Sequence, residues 1–145
     1  MQTIDEQREL STGYGSNPRP KSYKDLLVWQ KGLNLVKMVY EITQEFPPAE
    51  RFGLISQLRR AAVSVPSNIA EGQSRRTSGE FVQFISHAEG SLAELETQAI
   101  ISIELGFTTP EKSEPILKIV EELQKMLHSL RQKLATRHSP LTTRH

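Results

Sequence analysis

Two histidines on predicted helices, His87 and His128, are the residues of this sequence most suited to metal binding. Helical bundles that hold two metal ions supply an inward Glu-x-x-His motif from each of two helices. Here Gln83 and Lys125 precede the two histidines, and neither is a carboxylate. Cysteine is absent, and no glycine-rich phosphate-binding loop is present. We therefore predict no metal, no cofactor and no catalytic residue, and we expect a protein that is not an enzyme.

Two pairs of consecutive arginines could bind phosphate groups, because guanidinium groups donate bidentate hydrogen bonds to phosphate oxygens. No aromatic residue interleaves with them, so base stacking is not indicated. Glu50, Glu71 and Glu80 lie nearby in the sequence, and a solvated surface with ion pairs is the alternative interpretation. The candidate nucleic-acid contacts are Arg59, Arg60, Arg75 and Arg76.

A polar stripe recurs at spacings of three and four residues on the predicted second helix. It contains Gln57, Arg60, Ser64, Asn68 and Glu71. Planar, multivalent hydrogen-bonding groups of this kind suit a ridge that binds a partner. The same residues also suit a hydrogen-bonded network that sets the register between helices or subunits. We favour the network and keep the stripe as a candidate subunit interface.

Four amphipathic helices must position these residues. The first is predicted from a capping box at Ser22 to about Phe46, and the second begins near Pro48 and bends at Pro66. The third is predicted from a cap at Thr77 to Gly106, and the fourth opens at Thr109-Pro110. Their apolar seams predict an all-α, antiparallel up-down-up-down four-helix bundle with a kinked second helix. Its expected buried core includes Trp29, Phe84, Leu95 and Leu123.

The first helix carries two adjacent apolar seams, which is more than a monomeric bundle needs to bury. One seam contains Leu26, Trp29, Leu33, Val36 and Tyr40. We expect this first seam to face the bundle core. The second seam is expected to pack against another subunit, because a wide apolar patch left in water is unfavourable. It contains Val28, Leu35, Val39, Ile42 and Phe46.

The whole chain fits a single domain of 145 residues with a net charge of +1. We predict a flexible arm over residues 1–21, the bundle over 22–135 and a disordered tail over 136–145. The first 20 residues lack the apolar core of a signal peptide, and no apolar run approaches the ~18 residues that span a bilayer. We therefore expect a cytoplasmic protein with no membrane role.

Several sequence blocks resemble the four-helix-bundle proteins of the 23S rRNA intervening-sequence family. The most specific block is Ser64–Gly72, with the sequence SVPSNIAEG. Asp25–Lys31 and Gly90–Gln98 precede and follow it in the same order. The resemblance covers Tyr23 to Phe107, which is over half of the chain.

This resemblance implies a bundle that assembles into a closed homo-oligomeric ring, often a pentamer, and it implies no enzymatic activity. Similar proteins are encoded within insertions of bacterial large-subunit rRNA genes. A related branch accompanies the reverse transcriptases of diversity-generating retroelements and binds nucleic acid there. We therefore expect an oligomeric scaffold whose partner is structured RNA, a ribonucleoprotein or a nucleic-acid-processing protein. The alternative is a protein–protein adaptor with no nucleic-acid role.

Overall fold

A computed structural model describes residues 22–138, which form four α-helices and contain no β-strand within that range. The predicted arm over residues 1–21 lies outside the described residues, as does the chain after residue 138. The helices are α1 (Leu27–Thr43), α2 (Leu54–Gln73), α3 (Ser78–Glu104) and α4 (Pro110–His138). The all-α four-helix bundle predicted from the sequence is confirmed.

The first two helices begin later than the sequence predicted, because a short 3-10 turn precedes each. Ser22 caps the turn Tyr23–Asp25 by accepting a hydrogen bond from the Lys24 amide, and extended backbone at Leu26 then delays the start of α1. Before α2, the turn Pro48–Glu50 places the Glu50 carboxylate where it accepts from the Leu54 amide at 3.1 Å. That contact satisfies one of the free amides at the start of α2.

The predicted starts of the last two helices match the structure, whereas α4 continues to His138, past the predicted end of the bundle at residue 135. The Thr77 hydroxyl accepts a hydrogen bond from the Glu80 amide at 3.1 Å, which caps α3. At the end of α3, Gly106 has a φ of +79°, and the Phe107 amide donates to the Ser102 carbonyl at 2.9 Å. This is a Schellman motif, which favours glycine at the left-handed position. The Thr109 hydroxyl then caps α4.

Each helix packs on two neighbours, so that α1 and α3 are diagonal and α2 and α4 are diagonal. Along α1, Gly32 meets Pro66 of α2, whereas Thr43 meets Arg59. Residue numbers that increase along α1 therefore pair with residue numbers that decrease along α2, as expected of antiparallel neighbours. Pro66 lies inside one continuous helix. The bend predicted there stays a prediction.

The structure reverses the roles that the sequence predicted for the two apolar seams of α1. Val28, Leu35, Val39 and Phe46 are buried in the core of the single chain, and Ile42 packs against that core. The assignment of this second seam to a subunit interface is therefore wrong. The first seam is the more exposed one, with Leu33 and Tyr40 open to solvent.

The flanks of α1 explain this rotation. On one flank, Gly32 permits a close approach to Pro66 of α2. On the other flank, Lys31 forms an ion pair with Glu122 of α4 at 3.0 Å. Both contacts accompany the inward orientation of the second seam, and the close approach at Gly32 is the one that a larger side chain would disturb. Leu95 and Leu123 are fully buried as predicted, whereas Trp29 and Phe84 are only partly buried.

Candidate functional surfaces

The polar stripe of α2 makes hydrogen bonds within the chain. The Ser64 and Ser91 hydroxyls are 2.7 Å apart and join α2 to α3, and the Asn68 amide donates to both the Ser64 hydroxyl and its carbonyl. Nearer the other end, the Gln98 amide donates to the Gln57 side-chain oxygen at 3.4 Å. Most of the stripe therefore acts as an interhelical network in the single chain, one of the two roles that the sequence suggested.

Two residues of the stripe lie outside this network. Glu71 forms an ion pair with Arg75 one turn later, at 2.8 Å. Arg60 is exposed and forms no ion pair among the described residues. The five stripe residues are therefore not a single binding ridge.

Two of the four candidate arginines are held by the chain itself. The Arg59 Nε donates to the Thr43 hydroxyl at 2.9 Å, and its guanidinium lies 4.4 Å from the centre of the Tyr40 ring. Arg75 pairs with Glu71 and lies 4.9 Å from the centre of the Phe84 ring. These contacts orient both guanidinium groups and leave fewer of their donors for a phosphate.

Arg60 and Arg76 are exposed and form no ion pair among residues 22–136. They do not share a surface. Arg60 lies in the first half of α2, whereas Arg76 follows the end of that helix at Gln73. At 1.5 Å per residue, the separation along the axis is roughly 20 Å. The structure thus divides the four arginines between the two ends of the bundle.

Charge is segregated between α3 and the second half of α4. Helix α3 carries five glutamates and neither lysine nor arginine. From Leu123 to His138, α4 carries Lys125, Arg131, Lys133 and Arg137 and no carboxylate. The net charge of the whole chain, +1, does not reveal this separation of acidic and basic residues.

The second half of α4 reaches the end of the bundle where α1 begins and α2 finishes. Three exposed cations at this end, Lys24, Arg76 and Lys133, form no ion pair among the described residues. We call them, together with Arg75, the basic end. Beside it, Ser129, Gln132, Lys133 and Thr136 line an open depression of about 460 Å³. Its lining offers hydroxyl, amide and ammonium groups, all of which can donate hydrogen bonds to phosphate oxygens.

An apolar ridge remains uncovered where α1 and α2 meet. Leu33, Tyr40 and Val63 are 36%, 41% and 40% exposed. We call these three residues the outer ridge. Half-buried Trp29 and Val36 belong to the same seam of α1. The ridge is bordered by two exposed cations, Lys37 and Arg60.

The opposite side of the bundle contains an acidic groove between α3 and α4, with a volume of about 640 Å³. Ile100, Ile103 and Leu117 supply its apolar lining, and Lys118 is its single cation. The remaining charged lining residues are Glu96, Glu111, Glu114 and Glu121. Only Glu96 of these comes from α3, and the other three lie in the first half of α4, where glutamates recur at helical spacing in the sequence.

No group of three or more histidine, cysteine, aspartate or glutamate side chains within the described residues is arranged to hold a metal ion. His87 is exposed, and His128 Nδ1 lies 3.0 Å from an Arg131 guanidinium nitrogen. Of the helices described, none is long and apolar enough to cross a bilayer.

Comparison with known proteins gives a family and a fold. A family model described as 23S rRNA-intervening sequence protein matches residues 24–129. A solved structure from Bacteroides thetaiotaomicron, described as a protein of unknown function from the S23 ribosomal protein family, is similar with a TM-score of 0.66 and 22% identity. The match covers 72% of this chain and 98% of that one, and it supports the fold alone. No curated protein matches the sequence.

Proposed function

The chain belongs to the 23S rRNA-intervening sequence protein family, and from this premise we propose that it is a non-enzymatic, homo-oligomeric scaffold that binds structured RNA, alone or in a ribonucleoprotein. The observation that carries the RNA part is that Lys24, Arg76 and Lys133, three exposed cations with no ion pair among the described residues, lie at one end of the bundle. The description of the family names an RNA context. The structural neighbour contributes only the fold.

Phosphate binding supplies most of the affinity in nonspecific nucleic-acid complexes and requires cations that are free to pair. Lys24, Arg76 and Lys133 meet that requirement, because none is held in an ion pair within the described chain. Arg75 is expected to contribute less to phosphate binding, because its ion pair with Glu71 would first have to break. We assign RNA binding to this basic end, with Arg59 and Arg60 outside it.

The proposed self-assembly is supported by the outer ridge. Three neighbouring side chains with 36–41% of their surface in water would be better buried against a second copy. We propose a cyclic homo-oligomer, for which the family resemblance favours five copies. Light scattering at micromolar concentration should give a mass well above the 16.4 kDa of one chain. A dimer mass would contradict the ring, and a monomer mass would contradict self-assembly.

RNA binding is tested by filter binding with two synthetic hairpin RNAs of equal length and different sequence. Arg76→Glu should weaken binding to both hairpins at least tenfold, because phosphate contacts do not read sequence. Arg51→Glu is the matched control, since Arg51 is an exposed arginine in the loop at the other end of the bundle. Equal losses for the two variants would indicate nonspecific attraction, and no loss for Arg76→Glu would remove the site from the basic end.

A protein–protein adaptor is the second candidate function. The acidic groove between α3 and α4 favours it, because a carboxylate-lined surface repels phosphate and attracts basic protein segments. If the wild-type protein fails to bind either hairpin at low salt and has a monomeric mass, which leaves the groove free, the adaptor function becomes the better account.

A further inference from the structure

We propose that the acidic groove between α3 and α4 receives the outer ridge of a neighbouring copy of the chain. This inference rests on the self-assembly proposed above and identifies the two surfaces that form its contact. It does not depend on RNA binding.

Both surfaces expose apolar side chains. The ridge presents those of Leu33, Tyr40 and Val63. The groove offers an apolar lining within about 640 Å³, and Ile100 in that lining is 49% exposed. The Arg59 guanidinium covers part of the Tyr40 ring, and 36–49% of each of Leu33, Tyr40, Val63 and Ile100 stays exposed. Docking one on the other removes apolar surface of both from water.

The two surfaces also carry opposite charge. Lys37 lies one helical turn from both Leu33 and Tyr40, and Arg60 lies one turn before Val63. Neither cation has an ion-pair partner among the described residues. Across the bundle, four glutamates line the groove, and among the described residues only Glu121 has an ion-pair partner, Lys125. Cations beside the ridge would therefore meet carboxylates beside the groove, which orients the contact and opposes ridge-to-ridge pairing.

The positions of the two surfaces determine the type of assembly. The ridge belongs to the α1–α2 side of the bundle and the groove to the α3–α4 side, and these sides are opposite because α1 and α3 are diagonal. Each copy thus uses one surface to bind and leaves the other available for the next copy. Such a heterologous contact gives a ring when the rotation between copies closes and an open filament when it does not, and the proposed cyclic assembly requires closure.

Introduced cysteines test this contact directly, because the natural chain has no cysteine. We would prepare Val63→Cys and Ile100→Cys, both at positions at least 40% exposed, and confirm helix content by circular dichroism. Each variant is oxidised alone and after mixing with the other under conditions that allow subunit exchange. Gln83→Cys, which is exposed on α3 and not part of the groove lining, replaces Ile100→Cys in the control mixture.

A disulfide dimer that forms in the Val63→Cys and Ile100→Cys mixture, but neither in the single variants nor in the control mixture, is the expected result. A disulfide dimer of Val63→Cys alone would overturn the proposal in favour of a twofold ridge-to-ridge contact. An oligomeric mass without any disulfide would also overturn it, because assembly would then use other surfaces. A monomeric mass for the wild-type protein would remove the proposed self-assembly as well, whatever the RNA result.

Discussion

Gly72 of α2 lies directly against Phe84 of α3: a Cβ atom at Gly72 would fall 2.7 Å from the Phe84 Cβ and 2.9 Å from the Phe81 ring. No pair of real side chains approaches so closely without a shift of the backbone. The glycine at this position therefore allows α2 and α3 to meet near the basic end. Helix α2 continues through Gly72 to Gln73.

Replacing Gly72 with alanine should destabilise the protein by about 1–3 kcal/mol, because the methyl group overpacks the contact between α2 and α3. Gly90→Ala is the matched control, since Gly90 is in the middle of α3 with no atom within 4 Å of an added Cβ. It should stabilise the protein by about 0.4–1 kcal/mol through reduced backbone freedom in the unfolded chain. Urea denaturation of both variants measures the difference, and equal effects would contradict the close approach.

The burial of the second seam of α1 and the exposure of the first seam give a second prediction. Leu35→Asp should abolish folding, because it places a charge at a fully buried position of the core. Leu33→Asp, two residues earlier on the same helix, should keep its helix content, because Leu33 is 36% exposed. It should instead lower the mass of the assembly measured by light scattering. If Leu35→Asp remained folded as a monomer, the second seam would be the interface after all.

Arg59 should behave as a structural residue. Arg59→Ala removes the hydrogen bond to Thr43 and the contact with the Tyr40 ring, and we expect a loss of about 1–2 kcal/mol of stability. Arg51→Ala, at an exposed arginine without an ion pair among the described residues, should change stability by less than about 0.5 kcal/mol. Thermal unfolding compares the two. An affinity for RNA that fell with Arg59→Ala while stability stayed unchanged would return Arg59 to the binding site.

The part of the fold that sequence predicted best is the part set by local interactions. Thr77, Gly106 and Thr109 each act on their own helix end, so their residue types suffice to place α3 and α4. The starts of α1 and α2 were less predictable, because a 3-10 turn satisfies the same capping groups a few residues early.

The rotation of α1 could not be predicted from periodicity. Both of its seams have helical spacing, and the inward orientation of one of them goes with Gly32 meeting Pro66 and Lys31 meeting Glu122. Both are contacts between residues distant in the chain. The prediction that consecutive arginines act together failed for a related reason. Consecutive residues of a helix face different directions, so Arg59 contacts Thr43 whereas Arg60 is exposed to solvent. The concentration of glutamates in α3 and of cations in the second half of α4, by contrast, can be predicted from the sequence alone.

The salt dependence of RNA binding tests the central claim most directly. The affinity of the wild-type protein for a hairpin RNA should fall linearly on a plot of log K against log salt concentration, because each phosphate contact releases counterions. Arg76→Glu should reduce that slope by roughly 1 or more, whereas Arg51→Glu should leave it unchanged. Binding with no salt dependence, or a slope that both variants reduce equally, would contradict an RNA site at the basic end.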